Sequence, residues 1–178
     1  MATSLDKSKQ MDQAGLAYKM ADLDVSGNAE ILGTFRGAVP VAGGSTLTLT
    51  AASHAGKTIK LDTLAGTVVT LPAATGTGDI YKFLVSVLAT SNSHIVKVAS
   101  AADIIQGTVL VVDTDTAGTV TGFATASDSD TITLNRSTTG SAMRGEWLEI
   151  QDIASGVFVV TGVLANTGNG ATPFSAAV

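Results

Sequence analysis

Between Thr46 and Ala165 apolar residues recur at every second position in short runs, and each run stops at Gly, Ser, Asp, Asn or Pro. TLTLT at 46–50 alternates strictly, and KTIKLD at 57–62 sets Ile59 and Leu61 on one face. TVVTLP at 67–72 ends on a proline, and DIYKFLVSVLA at 79–89 is the most apolar long run. HIVKVA at 94–99, TVLVVD at 108–113, TVTGFAT at 119–125 and DTITLN at 130–135 follow. EWLEIQD at 146–152 and GVFVVTGVLA at 156–165 complete the series. A period of two in β-branched residues is the mark of a strand with one buried face. The pattern therefore predicts an all-β domain of about ten short strands, an antiparallel β-sandwich or a barrel-like form of it. No segment of helical period is long enough to supply crossover helices, which argues against a βαβ fold. EWLEIQD and GVFVVTG are predicted to pair as a hairpin across IASG at 153–156. TLTLTAAS and TITLNRST look alike, but two short copies are too little to define a repeat.

The first part of the chain lacks this alternation. Residues 1–43 are polar, with isolated apolar positions at Leu5, Leu16, Tyr18, Met20 and Phe35, and GTFRGAVPVAGG at 33–44 interrupts any regular element. We read 1–43 as an N-terminal arm and linker, with a marginal helix as the alternative for 1–22, and 44–178 as the β-rich domain. Such sparse anchors bury too little surface for the arm to fold alone. It is expected to order against a partner, with Leu16, Tyr18, Met20 and Phe35 filling pockets and Arg36 meeting a carboxylate. The alternative is that it packs on its own domain or swaps between subunits. MATSLDKSKQMDQAG contains no apolar core, so it does not read as a signal peptide.

Composition sharpens the picture. Hydrophobic residues make up 45% of the 178, but aromatics only 4% and charged residues 14%, against about 25% charged in ordinary soluble domains. Mean hydropathy is +0.36, yet no run approaches the roughly 20 apolar residues of a membrane helix. Ala, Val and Thr bury little area each, so the chain needs many regular contacts or a partner surface. Covered strand faces, and hence self-association, are expected. A net charge of −5 without clustered Lys or Arg argues against a general nucleic-acid binder, and no membrane partner is indicated. Cysteine is absent, which removes disulfides and thiolate metal sites.

The candidate chemistry is thin. DLDVSGNAEILG at 22–33 imitates a calcium loop, with Gly27 at position six and Glu30 at nine, but Gly33 stands where the bidentate carboxylate belongs. It reads as a turn at Ser26, Gly27 and Asn28. Asp113/Asp115 and Asp128/Asp130 lie at strand ends. Such pairs can bind calcium or act as acid and base, but more often their carboxylates cap the local backbone. His54 sits in a turn and His94 opens a strand, and no nucleophile elbow, zinc-protease helix or phosphate loop accompanies them. Trp147 and Phe158 read as core or interface anchors. No catalytic, metal or cofactor residue is assigned, and the chain reads as a non-enzyme. Asp115 and Asp130 are the carboxylates to test against that reading.

TLTAASHAGKTIKLDTLAGTVVTLPAATGTGDIYKFLV and DTITLNRSTTGSAMRGEWLEIQDIASGVFVV, in this order, carry a resemblance. Over Thr46 to Val178 the chain resembles tailed-bacteriophage virion proteins described as head decoration, cement or capsid-associated fibre proteins. AEILGTFRGAVPVAGG resembles the start of such proteins. The resemblance implies a β-rich subunit, commonly a homotrimer, made in the bacterial cytoplasm and seated on the capsid surface against the major capsid protein. The expected function is a structural one, binding the outer face of a phage capsid and stabilising it. The alternative is a head- or tail-fibre module that binds a receptor or glycan. With one Trp and two Tyr, the chain is poor in the aromatic platforms that line glycan sites.

Overall fold

The computed structural model describes residues 38–178. The elements are β1 (Val41–Ala42), β2 (Thr46–Thr48), a helical turn α1 (Ala51–His54), β3 (Thr58–Leu61), β4 (Val68–Thr70) and β5 (Ile80–Val85). Then come β6 (His94–Lys97), β7 (Ile104–Asp113), β8 (Val120–Ala124), β9 (Thr131–Leu134), β10 (Trp147–Ala154), β11 (Val157–Asn166) and β12 (Phe174–Ser175). Each of the alternating runs forms a strand. The two-residue β1 and β12 are too short to show a period. Val41 and Ala42, inside the segment assigned on composition to arm and linker, pair with Ile59 and Lys60 of β3.

The strands form a sandwich of two sheets. One has the order β1-β3-β5-β10-β11-β7-β8, the other β12-β9-β6-β4-β2. Alternation explains the core. Ile59, Leu61, Tyr81, Phe83, Ile150 and Phe158 point inward from the larger sheet and meet Val69, Leu71, Val96, Ile132 and Leu134 of the smaller one. The hairpin of β10 and β11 forms as its pattern predicts, running from Trp147 opposite Val163 to Ala154 opposite Val157.

The pairing is mixed, where purely antiparallel sheets were expected. From β1 to β6 the chain changes sheet at every step, so β3 lies parallel to β1 and β5, and β4 lies parallel to β2 and β6. A parallel neighbour needs a long return connection, usually a helix. Here a strand of the opposite sheet makes the return, so no helix is required. β11 also runs parallel to β7 over the full length of both.

Gly107 makes one close approach possible. It lies within β7 at φ 135°, and a Cβ there would meet the carbonyl oxygen of Val160 on β11. Gly107→Ala combines a left-handed backbone with a backbone clash, and we expect a loss of about 2–4 kcal/mol. A urea titration checks this; an unchanged midpoint would count against the geometry.

Candidate functional site

Outward positions of the larger sheet form the most distinctive surface. On β10, Leu148, Ile150 and Asp152 face the core, while Trp147, Glu149 and Gln151 face out. Register then aligns one row across five strands. Leu84 of β5 lies beside Trp147, Trp147 beside Val163, Val163 beside Leu110, and Leu110 beside Gly122 of β8. The next row adds Ala165, Val112 and Val120. At about 4.8 Å per strand the stripe is roughly 19 Å across. Leu110, Val112, Val120 and Trp147 are all among the exposed large apolar side chains, with Trp147 42% exposed. On the other side of the first row the face turns polar, with Thr58, Lys82, Glu149, Thr161 and Thr108 aligned. Lys82 and Glu149 form an ion pair at 3.1 Å.

Trp147 stands between two shallow cavities. One, of about 300 Å³, is lined by Val112, Met143, Arg144, Trp147 and Val163. The other, of about 380 Å³, lies over Thr58, Lys82, Leu84, Trp147 and Glu149. Glu146 shapes the first. Its carboxylate accepts the N–H groups of Ser141 at 2.8 Å and Met143 at 2.7 Å, which fixes the loop carrying Met143 and Arg144. Burial pushes the Glu146 pKa up, and those N–H groups oppose the rise. The carboxylate is 5% exposed and its two oxygens are already engaged, so its role here is to hold the loop.

The other titratable candidates face inward or into turns. Asp113 accepts the N–H groups of Asp115 and Thr116, an Asx-turn closing the β7–β8 connection. Asp115 accepts the N–H of Gly168 at 2.7 Å. Asp130 is buried and accepts from Thr131, Ala177 and Val178, tying the C-terminal residues to β9. Burial opposes its ionisation, but the donors, the Ala177 N–H foremost, hold its pKa below the usual value. Asp128 is exposed. Asp115 and Asp130 belong to opposite ends of β7, because Asp113 ends that strand and Ser129 bonds Ile105 near its start. Eight residues of strand span about 27 Å, too far for two carboxylates to act on one glycosidic bond. Among the described residues no group of three or more His, Asp or Glu could hold a metal.

His94 is fully buried. Its Nδ1 accepts the Thr67 N–H at 2.9 Å, which leaves Nε2–H to donate to the Val87 carbonyl, also at 2.9 Å. This tautomer is neutral, and burial lowers its pKa. A folded pKa below the ordinary 6.5 means that stability is present above that value and is lost as pH falls through the folded pKa. Urea midpoints should therefore decline from pH 7.5 to 5.5 in the natural protein, and His94→Leu should flatten that slope while lowering the midpoint throughout. An equal slope in both proteins would assign the decline elsewhere. His54 bonds only its own turn, through Thr50.

The predicted partner residues Leu16, Tyr18, Met20, Phe35 and Arg36, and the turn at 22–33, lie outside the described residues. Reading the sequence did place Trp147 as an interface or core anchor. It did not single out Leu110, Val112 and Val163, although TVLVVD held the signal for the first two. A run apolar on both faces marks a strand covered on both sides. β7 has such a run, and only its inner face is covered among the described residues. Comparison with protein-family models, with curated proteins and with solved structures found no match to this chain.

Proposed function

We propose that this chain is a non-enzymatic structural protein of a phage virion, which binds the outer surface of the capsid and cements the shell. The observation that carries the reading is the apolar stripe on the outer face of the larger sheet. Contiguous exposed apolar surface of this kind is rare on monomers and marks a docking face. Trp147, flanked by two cavities, has the form of an interface anchor. The inward-facing Glu146, Asp130, Asp152 and His94 are each engaged by backbone donors or acceptors, which suits a scaffold better than a catalyst. The sequence resemblance supplies the partner, the major capsid protein, and the homotrimer as the assembly.

A second reading is a fibre module that binds a receptor glycan. It is favoured by the half-exposed indole of Trp147 beside the cavity that Lys82 and Glu149 also line. Sedimentation of purified protein with capsid shells that lack it separates the two. Saturable co-sedimentation supports the cement role. Binding to host-surface glycans without binding to shells would overturn it. A truncation starting at Ala38, which retains β1, tests the attachment assigned to the arm. If the arm attaches the protein, this shorter chain stays folded and leaves the shells.

A further inference from the structure

Among the described residues β8 ends the larger sheet and has a single neighbour, β7. The ladder fixes which of its backbone groups are used. Asp113 N–H bonds the Thr119 carbonyl, and Thr125 N–H bonds the Gly107 carbonyl. In an antiparallel pair such bonded positions alternate, so Thr121 and Phe123 also turn their backbone groups toward β7. Val120, Gly122 and Ala124 turn theirs outward, away from every described strand. Natural edges are blunted by Lys, Pro, a bulge or extreme shortness. VTGFA has no charge and no proline, and it pairs without a register break over all five residues. The other outer strands, β1, β12 and β2, are two or three residues long.

We infer that β8 is a strand-addition site for an extended, apolar segment of a partner protein flanked by basic residues. Charge selects this occupant. Asp113 ends β7 and Asp115 stands in the turn before β8, with the exposed Asp128 in the loop after it. A second copy of β8 added antiparallel about Gly122 would bring the Asp115 turn of each chain toward Asp128 of the other. Acidic ends would then face acidic ends, which is unfavourable. A segment with Arg or Lys at both ends meets both acidic sites. Its main chain would bond Val120, Gly122 and Ala124, and its alternate side chains would pack beside Phe123 and Val120. The inference stands on this edge alone and does not depend on the capsid reading.

The full chain is mixed with a labelled peptide, Arg-Arg-Val-Thr-Val-Thr-Val-Arg-Arg, and with its counterpart carrying Glu in place of Arg. Fluorescence anisotropy reads binding and amide hydrogen exchange reads the edge. The expected result is binding of the basic peptide alone, with new protection of the Val120, Gly122 and Ala124 amides. Gly122→Pro removes an outward N–H without touching the β7 ladder, and it should weaken binding about tenfold or more. Gly122→Val keeps that N–H, and its Cβ would meet only Leu110 Cδ2, at 3.8 Å. It should bind as the natural chain does, which separates edge blockage from misfolding. Asp128→Lys should shift preference toward the acidic peptide. No binding, equal binding by Gly122→Pro, or binding that leaves those amides unprotected would overturn the inference. Amides already protected without peptide would overturn it too: protection that grows with protein concentration would identify a second copy as the occupant, and constant protection the chain itself.

Discussion

Replacing Asp152 by alanine should cost about 2–4 kcal/mol of stability, the largest loss expected from any single carboxylate in the domain. The Asp152 carboxylate is 3% exposed and accepts the N–H groups of Thr75 at 2.9 Å, Gly76 at 2.7 Å and Thr77 at 3.4 Å. Both threonine hydroxyls donate to it as well. These donors belong to the connection that carries the chain from β4 in one sheet to β5 in the other. Their convergence is a backbone nest of the type that binds anions, and the protein fills it with its own side chain. Water reaches the exposed loop residues after truncation, which keeps the loss below that of a fully buried ion. Burial works against ionisation of Asp152, but the Thr75, Gly76 and Thr77 donors outweigh it and hold the pKa below 3.8. Its contribution is therefore intact above about pH 3.8 and is lost as pH falls through the folded pKa. Asp152→Asn should lower the urea midpoint at pH 7 and flatten the acid limb. A midpoint within error of the natural protein would show that the nest does not need its anion.

Trp147→Glu should reduce binding to capsid shells about 100-fold or more while leaving the melting temperature nearly unchanged. The side chain stands on the outer face and contributes little to the core, so its removal separates docking from folding. A carboxylate in its place would have to be desolvated against Leu84 and Val163 whenever the face is covered. Light scattering on the same variant identifies the neighbour. If shell binding is lost and the subunit count is kept, the stripe meets the shell. If the oligomer falls apart, the stripe is a subunit interface. Full shell binding with an unchanged oligomer would remove the stripe from the functional account.

The strands were legible because each carries its own period of two; Ile59 and Leu61 in KTIKLD point inward as the pattern requires. The β10–β11 hairpin was legible because its partners lie next to each other in the chain. The parallel pairing of β3 with β5 was not. A turn that sends the chain to the opposite sheet has the same Gly, Asp and Ser residues as one that folds a hairpin, and periodicity records faces but not neighbours. Asp152 was equally hidden. An Asp near the end of a strand is common, and its partner residues Thr75 to Thr77 lie far away in the sequence. The stripe was half legible, since TVLVVD shows two apolar faces without saying which of them the domain covers by itself.

The sheet-to-sheet winding has a consequence for the order of assembly during synthesis. Each strand from β3 to β6 pairs with the one two places before it, so this stack can close turn by turn as it leaves the ribosome. The far side of β5 cannot. Its partner β10 begins at Trp147, after β6, β7, β8 and β9 have been made. Until then the stack presents an open strand edge and a half-covered core, and closing it requires a long loop to be pinned at entropic cost. Slow, late locking of β5 to β10 is thus built into the connectivity, and crowded nascent chains are most exposed to mispairing in that interval.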